Sequence, residues 1–148
     1  MKKLLPPQLF LLVSVLMGLV CWYFDFSHYV VFPFNLAGLP LLIGGLAVAQ
    51  IAKNLFHDAE TNVNTFALPD TFVTTGIYQY SRNPMYVGLC LSLLGVAVLY
   101  QGSLSSFILV IGFFLVVDRW YIKSEEATMR SVFGQSYLDY CSRTRKWI

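Results

Sequence analysis

Residues 84–122 read PMYVGLCLSLLGVAVLYQGSLSSFILVIGFFLVVDRWYI, and the predicted architecture of the chain follows from this segment. It contains two apolar runs, 84–100 and 104–122, separated only by residues 101–103. Each run approaches the roughly 17–25 residues that a transmembrane helix needs, and an open sheet edge cannot lie in lipid. Because the linker is so short, the two helices are expected to form a tight antiparallel hairpin. The two outer ends of this hairpin then lie on the same side of the membrane.

Two further apolar runs precede the hairpin, at about residues 4–24 and 36–52. Hydrophobic residues make up 57% of the chain and charged residues only 12%, whereas a soluble domain has about 25% charged residues. We therefore predict an all-α polytopic membrane protein with about four transmembrane helices, folded as a single domain over residues 1–148. The first run lacks a small-residue cleavage site, so we interpret it as a retained span rather than a signal peptide.

The residues after the hairpin predict a carboxyl-terminal amphipathic helix in the cytosol. Between about 125 and 141, apolar side chains recur near helical spacing, and Gly134 interrupts the pattern. The tail that follows, residues 143–148, is basic and contains Trp147. Such a composition is typical of a segment that lies beside anionic headgroups with an aromatic anchor.

The lysines and arginines predict the orientation of the chain. All of them except Arg119 fall on one side of the four runs, whereas the opposite loops, 25–35 and 101–103, contain none. The positive-inside rule then places both termini and the polar segment 53–81 in the cytosol, with the protein in the cytoplasmic membrane. The net charge of +2 is too small to indicate a nucleic-acid partner, and the three scattered cysteines predict neither a disulfide framework nor a metal site.

The polar side chains that could carry chemistry lie at the outer ends of the hairpin. Residues 76–88 read GIYQYSRNPMYVG, and the pair EE follows the second run at 125–126. Charge is costly at the ends of apolar helices unless it is used. Since the hairpin returns both groups to one side, we expect a single cytosolic pocket. There, Gly88 leaves space for a cofactor, and Arg82 and Tyr86 share a face if the helix begins near Arg82.

This pattern resembles the intramembrane methyltransferases related to isoprenylcysteine carboxyl methyltransferase and to the phospholipid methyltransferases. Those proteins carry an Arg-(His/Asn)-Pro-x-Tyr-x-Gly element, a hydrophobic stretch and then Glu-Glu. All of these are present here in order. The resemblance runs from about Thr61 to Ile148. Its further segments are 61–66 (TNVNTF), 72–78 (FVTTGIY), 133–140 (FGQSYLDY) and 145–148 (RKWI).

The resemblance implies an S-adenosylmethionine-dependent methyltransferase that acts on a lipid-like or membrane-partitioned acceptor and needs no metal. An isoprenylcysteine carboxylate, a phospholipid amine and a small thiol all stay open as acceptors, because Asn83 stands where typical isoprenylcysteine enzymes have histidine. We also expect Arg82 and Glu125 to lie near the acceptor as the catalytic residues, because an arginine can hold a carboxylate nucleophile and a glutamate can orient an amine or a thiol. The implied cofactor-binding residues are Tyr78, Arg82, Asn83, Pro84, Tyr86, Gly88, Glu125 and Glu126.

Two other classes of protein stay open from the residues alone. A membrane reductase of the sterol or steroid type would use NADPH and would need basic contacts for its phosphates, and a non-catalytic membrane adaptor would need no converging charges. Arg82 also has a plain interpretation as an interfacial arginine, and the glutamate pair as a solvated helix start. We expect Asp118 and Arg119 to orient the hairpin and His57 to be solvated.

The two adjacent glutamates are not expected to be equivalent, because neighbouring side chains on a helix point about 100° apart. Glu125 has apolar residues at its −3 and +4 positions, which predicts an inward face. Glu126 has Lys123 and Arg130 at the same spacings, which predicts a more solvated face with ion-pair partners. We therefore expect Glu125 to be the more sensitive of the two.

Overall fold

A computed structural model describes residues 4–24, 28–58 and 73–148. The described part is helical, with α1 over Pro6–Phe24, α2 over Gly38–Asp58, α3 over Pro84–Leu99 and α4 over Leu104–Arg143. Short 3-10 turns precede α2 and α3. Three of the helical segments are long and apolar enough to cross a membrane, and α3 is a shorter apolar helix. The predicted all-α membrane fold with about four membrane helices is thus confirmed.

Helix α4 differs from the prediction because the fourth span and the carboxyl-terminal helix form one continuous element. Residues 123–124 contain neither glycine nor proline, so nothing there breaks the helix. Instead, Val117–Ile122 forms a π-helical segment, and the α-helix then resumes at Lys123. The predicted interruption at Gly134 is confirmed, since this residue has φ 52° and ψ −124° inside the helix.

Helix α2 continues six residues beyond the predicted end at Ala52, so the predicted polar segment 53–81 begins as helix. The family-like stretch 61–66 and residue 72 lie outside the described residues, as do Met1 to Lys3. Residues 28–30 of the loop after α1 lie at the hairpin tip, where the backbone N–H groups of Tyr29 and Val30 donate to the Gln101 carbonyl. This loop and the tip therefore lie together at one end of the molecule.

Helices α2 and α3 pack with their backbones in contact. A Cβ on Gly88 would lie 2.5 Å from the Gly45 carbonyl oxygen and 2.6 Å from the Ala49 nitrogen, so only glycine fits there. The Ser92 hydroxyl lies 3.2 Å from the Leu42 carbonyl oxygen across the same interface. Small residues that allow close approach are the usual basis of helix association in lipid. The space that the sequence predicted beside Gly88 for a cofactor is instead filled by α2.

The main core lies between α1, α3 and α4. Met17 from α1, Leu93 from α3 and Val117 from α4 are fully buried in it, and Phe10 meets Phe113 with ring centroids 6.5 Å apart. The outer faces of α1 and α4 are rich in exposed leucine, isoleucine and valine, as expected where lipid is the solvent. The core holds the hairpin rigid and so fixes where its outer ends meet.

Candidate functional site

Arg82 lies in the loop immediately before α3 and meets Glu126 of α4. Its Nη2 atom lies 2.9 Å from Glu126 Oε1 and its Nε atom 3.3 Å from the same oxygen. The two side chains are only 13% and 14% exposed. Burial alone would lower the pKa of Arg82, but the hydrogen bond and charge of Glu126 outweigh it and raise the pKa. The guanidinium is therefore permanently charged, and the hairpin brings the two sequence motifs together.

Glu125 meets α3 through a different partner. Tyr86 is a buried residue in the first turn of α3, and its hydroxyl donates to Glu125 Oε1 at 2.8 Å. Arg82 and Tyr86 thus contact successive carboxylates of α4, although Arg82 itself precedes the helix, which begins at Pro84. The result is a half-buried cluster of one cation, two carboxylates and a phenol at one end of the hairpin.

Both glutamates are half-buried, and Glu126 does not lie on the solvated face that its neighbours in sequence predicted. Its side chain is largely buried, although Arg130 lies 3.6 Å away as an ion-pair partner, as expected. Neighbours at −3 and +4 indicate a solvated face only when the helix has water beside it. Here Arg82 arrives from the loop before α3 and supplies a charged partner inside the protein. A carboxylate can then be buried because it is paired.

Tyrosines surround the polar cluster, and two of them were not selected from the sequence. Tyr78 is buried against Phe56, with ring centroids 5.2 Å apart, and its carbonyl oxygen accepts a hydrogen bond of 2.6 Å from the Tyr140 hydroxyl. Burial, together with the nearby Tyr140 and Glu125, raises the pKa of Tyr78, so its phenol stays neutral. The ring of Tyr137 lies 6.1 Å from that of Tyr140. Their helical spacing after Gly134 was the available signal, but it did not indicate which face they occupy.

Asn83 and Pro84 form the start of α3. Pro84 occupies the first turn, where its missing N–H costs nothing. Asn83 is buried, and its side-chain amide donates to the Lys146 carbonyl oxygen at 3.0 Å. Asn83 therefore contacts the carboxyl-terminal tail.

Residues 144–147, called here the carboxyl-terminal strap, run back across the loop before α3. The Arg82 Nη1 atom donates to the carbonyl oxygens of Thr144 at 2.6 Å and of Cys141 at 3.2 Å. The Arg82 backbone N–H donates to the Arg145 carbonyl at 2.9 Å. The Asn83 side-chain amide donates to the next carbonyl oxygen, that of Lys146. Each carbonyl from Thr144 to Lys146 thus accepts a hydrogen bond from a predicted site residue.

The strap ends on Asp118, whose structural role was expected. Trp147 Nε1 donates to Asp118 Oδ1 at 2.9 Å, and the Lys146 ammonium pairs with the same oxygen. The Trp147 ring lies 4.7 Å from that of Phe114. The Trp147 ring thus packs on α4, and its position beside the headgroups stays a prediction. Arg119 is 80% exposed.

His57 is exposed at the end of α2, as expected of a solvated residue, and Tyr80 is 76% exposed before α3. Within the described ranges, no group of three or more histidine, cysteine or acidic side chains could hold a metal ion. The described site contains charge pairs, phenols and backbone carbonyls.

The fold and the site define a polytopic helical membrane protein with a charged cluster built from both ends of one hairpin. The chain belongs to the phospholipid methyltransferase family, whose family model matches residues 34–136. The matched region contains α2, α3 and most of α4, and it includes every residue of the predicted site. The family resemblance noted in the sequence is thus confirmed.

Similar proteins carry a consistent name. A protein-S-isoprenylcysteine O-methyltransferase of Schizosaccharomyces pombe is 32% identical over 120 residues, which is 79% of this chain and 48% of that protein. The protein of the same name from Dictyostelium discoideum is 29% identical over 135 residues, or 88% and 55% of the two chains. That of Rattus norvegicus is 30% identical over 115 residues, or 72% and 38%. The chain spans only 38–55% of the length of these three relatives.

Proposed function

We propose that this protein is an integral membrane methyltransferase that uses S-adenosylmethionine and acts on a lipophilic acceptor. The observation that carries the proposal is the paired contact of Arg82 with Glu126 and Tyr86 with Glu125 at one end of the hairpin. Membership of the phospholipid methyltransferase family supports it. That membership also favours methyl transfer over the NADPH-dependent reductase and the membrane adaptor left open by the residues alone.

The residues present fit such a cofactor. Its sulfonium and ammonium groups are cations, which carboxylates and aromatic faces attract. Glu125 and Glu126 supply half-buried carboxylates, and Tyr78 and Tyr86 supply aromatic rings beside them. Bound here, S-adenosylmethionine would supply an activated methyl group. Asn83 and Pro84 shape the floor of the site by starting α3, and Gly88 contributes indirectly by seating α2 against it.

Glu125 is the residue best placed to meet the acceptor. Arg82 already contacts Glu126 through Nε and Nη2 and two carbonyls through Nη1. An acceptor carboxylate would have to displace one of these contacts to reach Arg82. The Tyr86 hydroxyl fixes the position of the Glu125 carboxylate. This carboxylate can accept a proton from an acceptor amine or thiol, or it can orient that group by a hydrogen bond. We assign the direct catalytic role to Glu125. We assign to Arg82 the role of holding Glu126, and of binding an acceptor carboxylate when one of its present hydrogen bonds breaks.

The surroundings favour an acceptor that arrives from the bilayer. The helices that flank the site present exposed apolar side chains, so a hydrophobic tail can lie against them. The names of the relatives make an isoprenylcysteine carboxylate the first acceptor to test, and the family description makes a phospholipid amine the second. We further propose that the site faces the cytosol from the cytoplasmic membrane, because lysine and arginine cluster at that end.

A ligand titration tests the class of enzyme directly. Purified protein in lipid nanodiscs would be titrated with S-adenosylhomocysteine and, separately, with NADPH. We expect saturable binding of S-adenosylhomocysteine only. Transfer of labelled methyl from S-adenosylmethionine would then be measured with a prenylated cysteine, a phosphatidylethanolamine and an alkyl thiol. Saturable binding of NADPH alone would contradict the proposal.

A further inference from the structure

We propose that Asp118 is a positioning residue for the candidate site and acts through the carboxyl-terminal strap. The proposal rests on the proposed function, since the residues held in place are those assigned to the cofactor site. Asp118 lies in the π-helical segment of α4 with its side chain 19% exposed. An acidic side chain in an apolar run is costly unless it has a use, and the contacts of Asp118 indicate one.

Asp118 fixes the strap at both residues that reach it. Lys146 and Trp147 converge on the same carboxylate oxygen, one as an ion pair and one as an indole hydrogen bond. Packing of Trp147 on Phe114 also holds the tail near α4, but it leaves the ammonium and the carbonyl of Lys146 without a fixed position. The two contacts with Asp118 are directional and set the position of the strap along the helix.

The strap transmits this position to the site. Lys146 is held from both ends, with its ammonium on Asp118 and its carbonyl oxygen on the Asn83 amide. The preceding carbonyls of Thr144 and Arg145 accept from the side chain and the backbone of Arg82. A shift of the strap would therefore move the acceptors that orient the guanidinium towards Glu126. Asp118 thereby positions residues of the loop that precedes α3.

The substitution Asp118→Asn tests the proposal with little change of shape. Asparagine keeps an acceptor for Trp147 but removes the charge that faces Lys146. We expect hydrogen exchange at the Arg82 amide, whose acceptor is the Arg145 carbonyl, to speed up about tenfold, while exchange in the rest of the core stays unchanged. Affinity for S-adenosylhomocysteine should fall about tenfold. Asp139→Asn, on an exposed face of the same helix, should change neither quantity.

A second variant keeps the proposal testable if Asp118→Asn fails to fold. Lys146→Met removes the partner charge from the strap side, and it should reproduce both effects. Combined with Asp118→Asn it should add little, because both remove the same contact. Unchanged exchange at Arg82, uniformly faster exchange throughout the helices, or faster exchange at Arg82 with wild-type ligand affinity would each overturn the positioning role. A wild-type protein that fails to bind S-adenosylhomocysteine would instead contradict the proposed function, while exchange at Arg82 would still show whether Asp118 holds the strap.

Discussion

At the scale of single residues, the ion pair between Arg82 and Glu126 holds the site together. Both side chains are largely buried, and the guanidinium also donates to the carbonyl oxygens of Cys141 and Thr144. A buried pair adds little net stability while it is intact, because desolvation offsets the attraction, but removing one charge leaves the other buried without compensation. Its value to the protein is therefore seen most clearly by neutralising one member.

We predict that Glu126→Gln destabilises the protein by about 1.5–3 kcal/mol, the range for a lost charge-assisted hydrogen bond. The amide keeps the shape of the side chain but leaves the Arg82 cation without its counter-charge. Reversible unfolding in mixed micelles would measure the change in free energy. A change within experimental error of the wild type would contradict the buried character of the pair. Asp139→Asn, at an exposed position, serves as the control.

At the scale of helices, the close contact between the backbones of α2 and α3 holds these two helices together, and α3 follows directly after the loop that contains Arg82. Gly45 and Gly88 face each other so closely that a Cβ on Gly45 would lie 2.5 Å from the Gly88 carbonyl oxygen. Gly44 is the residue before Gly45 in α2, and a Cβ added there would have no neighbouring atom within 4 Å. This pair of neighbouring glycines provides an internal control.

We predict that Gly45→Ala destabilises the protein by about 1–3 kcal/mol through overpacking. Gly44→Ala should be neutral or stabilising by up to about 1 kcal/mol, because alanine is the better helix former in open space. Denaturant titrations of the two variants in the same lipid mixture would measure both effects. Equal destabilisation by the two substitutions would show that backbone contact does not govern this interface.

The hairpin tip is far from the candidate site, so a substitution there is expected to change stability without changing ligand affinity. Gly102 has φ 63°, and a Cβ there would lie 2.8 Å from Val30. Gly102→Val should therefore cost about 1–2 kcal/mol or more of stability through left-handed backbone strain. Affinity for S-adenosylhomocysteine should stay unchanged, because the tip lies at the opposite end of the hairpin. Weaker binding by a variant that is still folded would contradict this separation, and Gly112→Ala, in open space, is the control.

At the scale of the whole molecule, the positive charges predict that both termini lie in the cytosol. Residues 28–30 contact the hairpin tip, at the opposite end from the charged cluster, which agrees with that topology. A reporter fused after Ile148 or within residues 58–70 should therefore read as cytosolic, and one within residues 27–32 as exported. A cytosolic reading from residues 27–32 would contradict this orientation and with it the cytosolic site.

The sequence was sufficient for features that depend on chain connectivity and insufficient for those that depend on distant partners. The three-residue linker at 101–103 forces the hairpin, so the meeting of the loop before α3 with residues 125–126 could be predicted. The carboxyl-terminal strap could not, because its carbonyls meet Arg82 across about sixty residues of sequence. The burial of Glu126 was missed for the same reason. Gly88 was interpreted as space for a cofactor, whereas its close neighbours are Gly45 and Ala49 of α2.

A single substitution at Glu125 shows whether this carboxylate and its surroundings bind S-adenosylmethionine. Glu125→Gln removes the negative charge while keeping a hydrogen-bond acceptor for Tyr86. Calorimetric titration with S-adenosylhomocysteine should show a loss of about 1.5–3 kcal/mol, which is more than tenfold in affinity. Asp139→Asn should bind as the wild type does. Wild-type affinity in a folded Glu125→Gln protein would remove this carboxylate from the site and contradict the account.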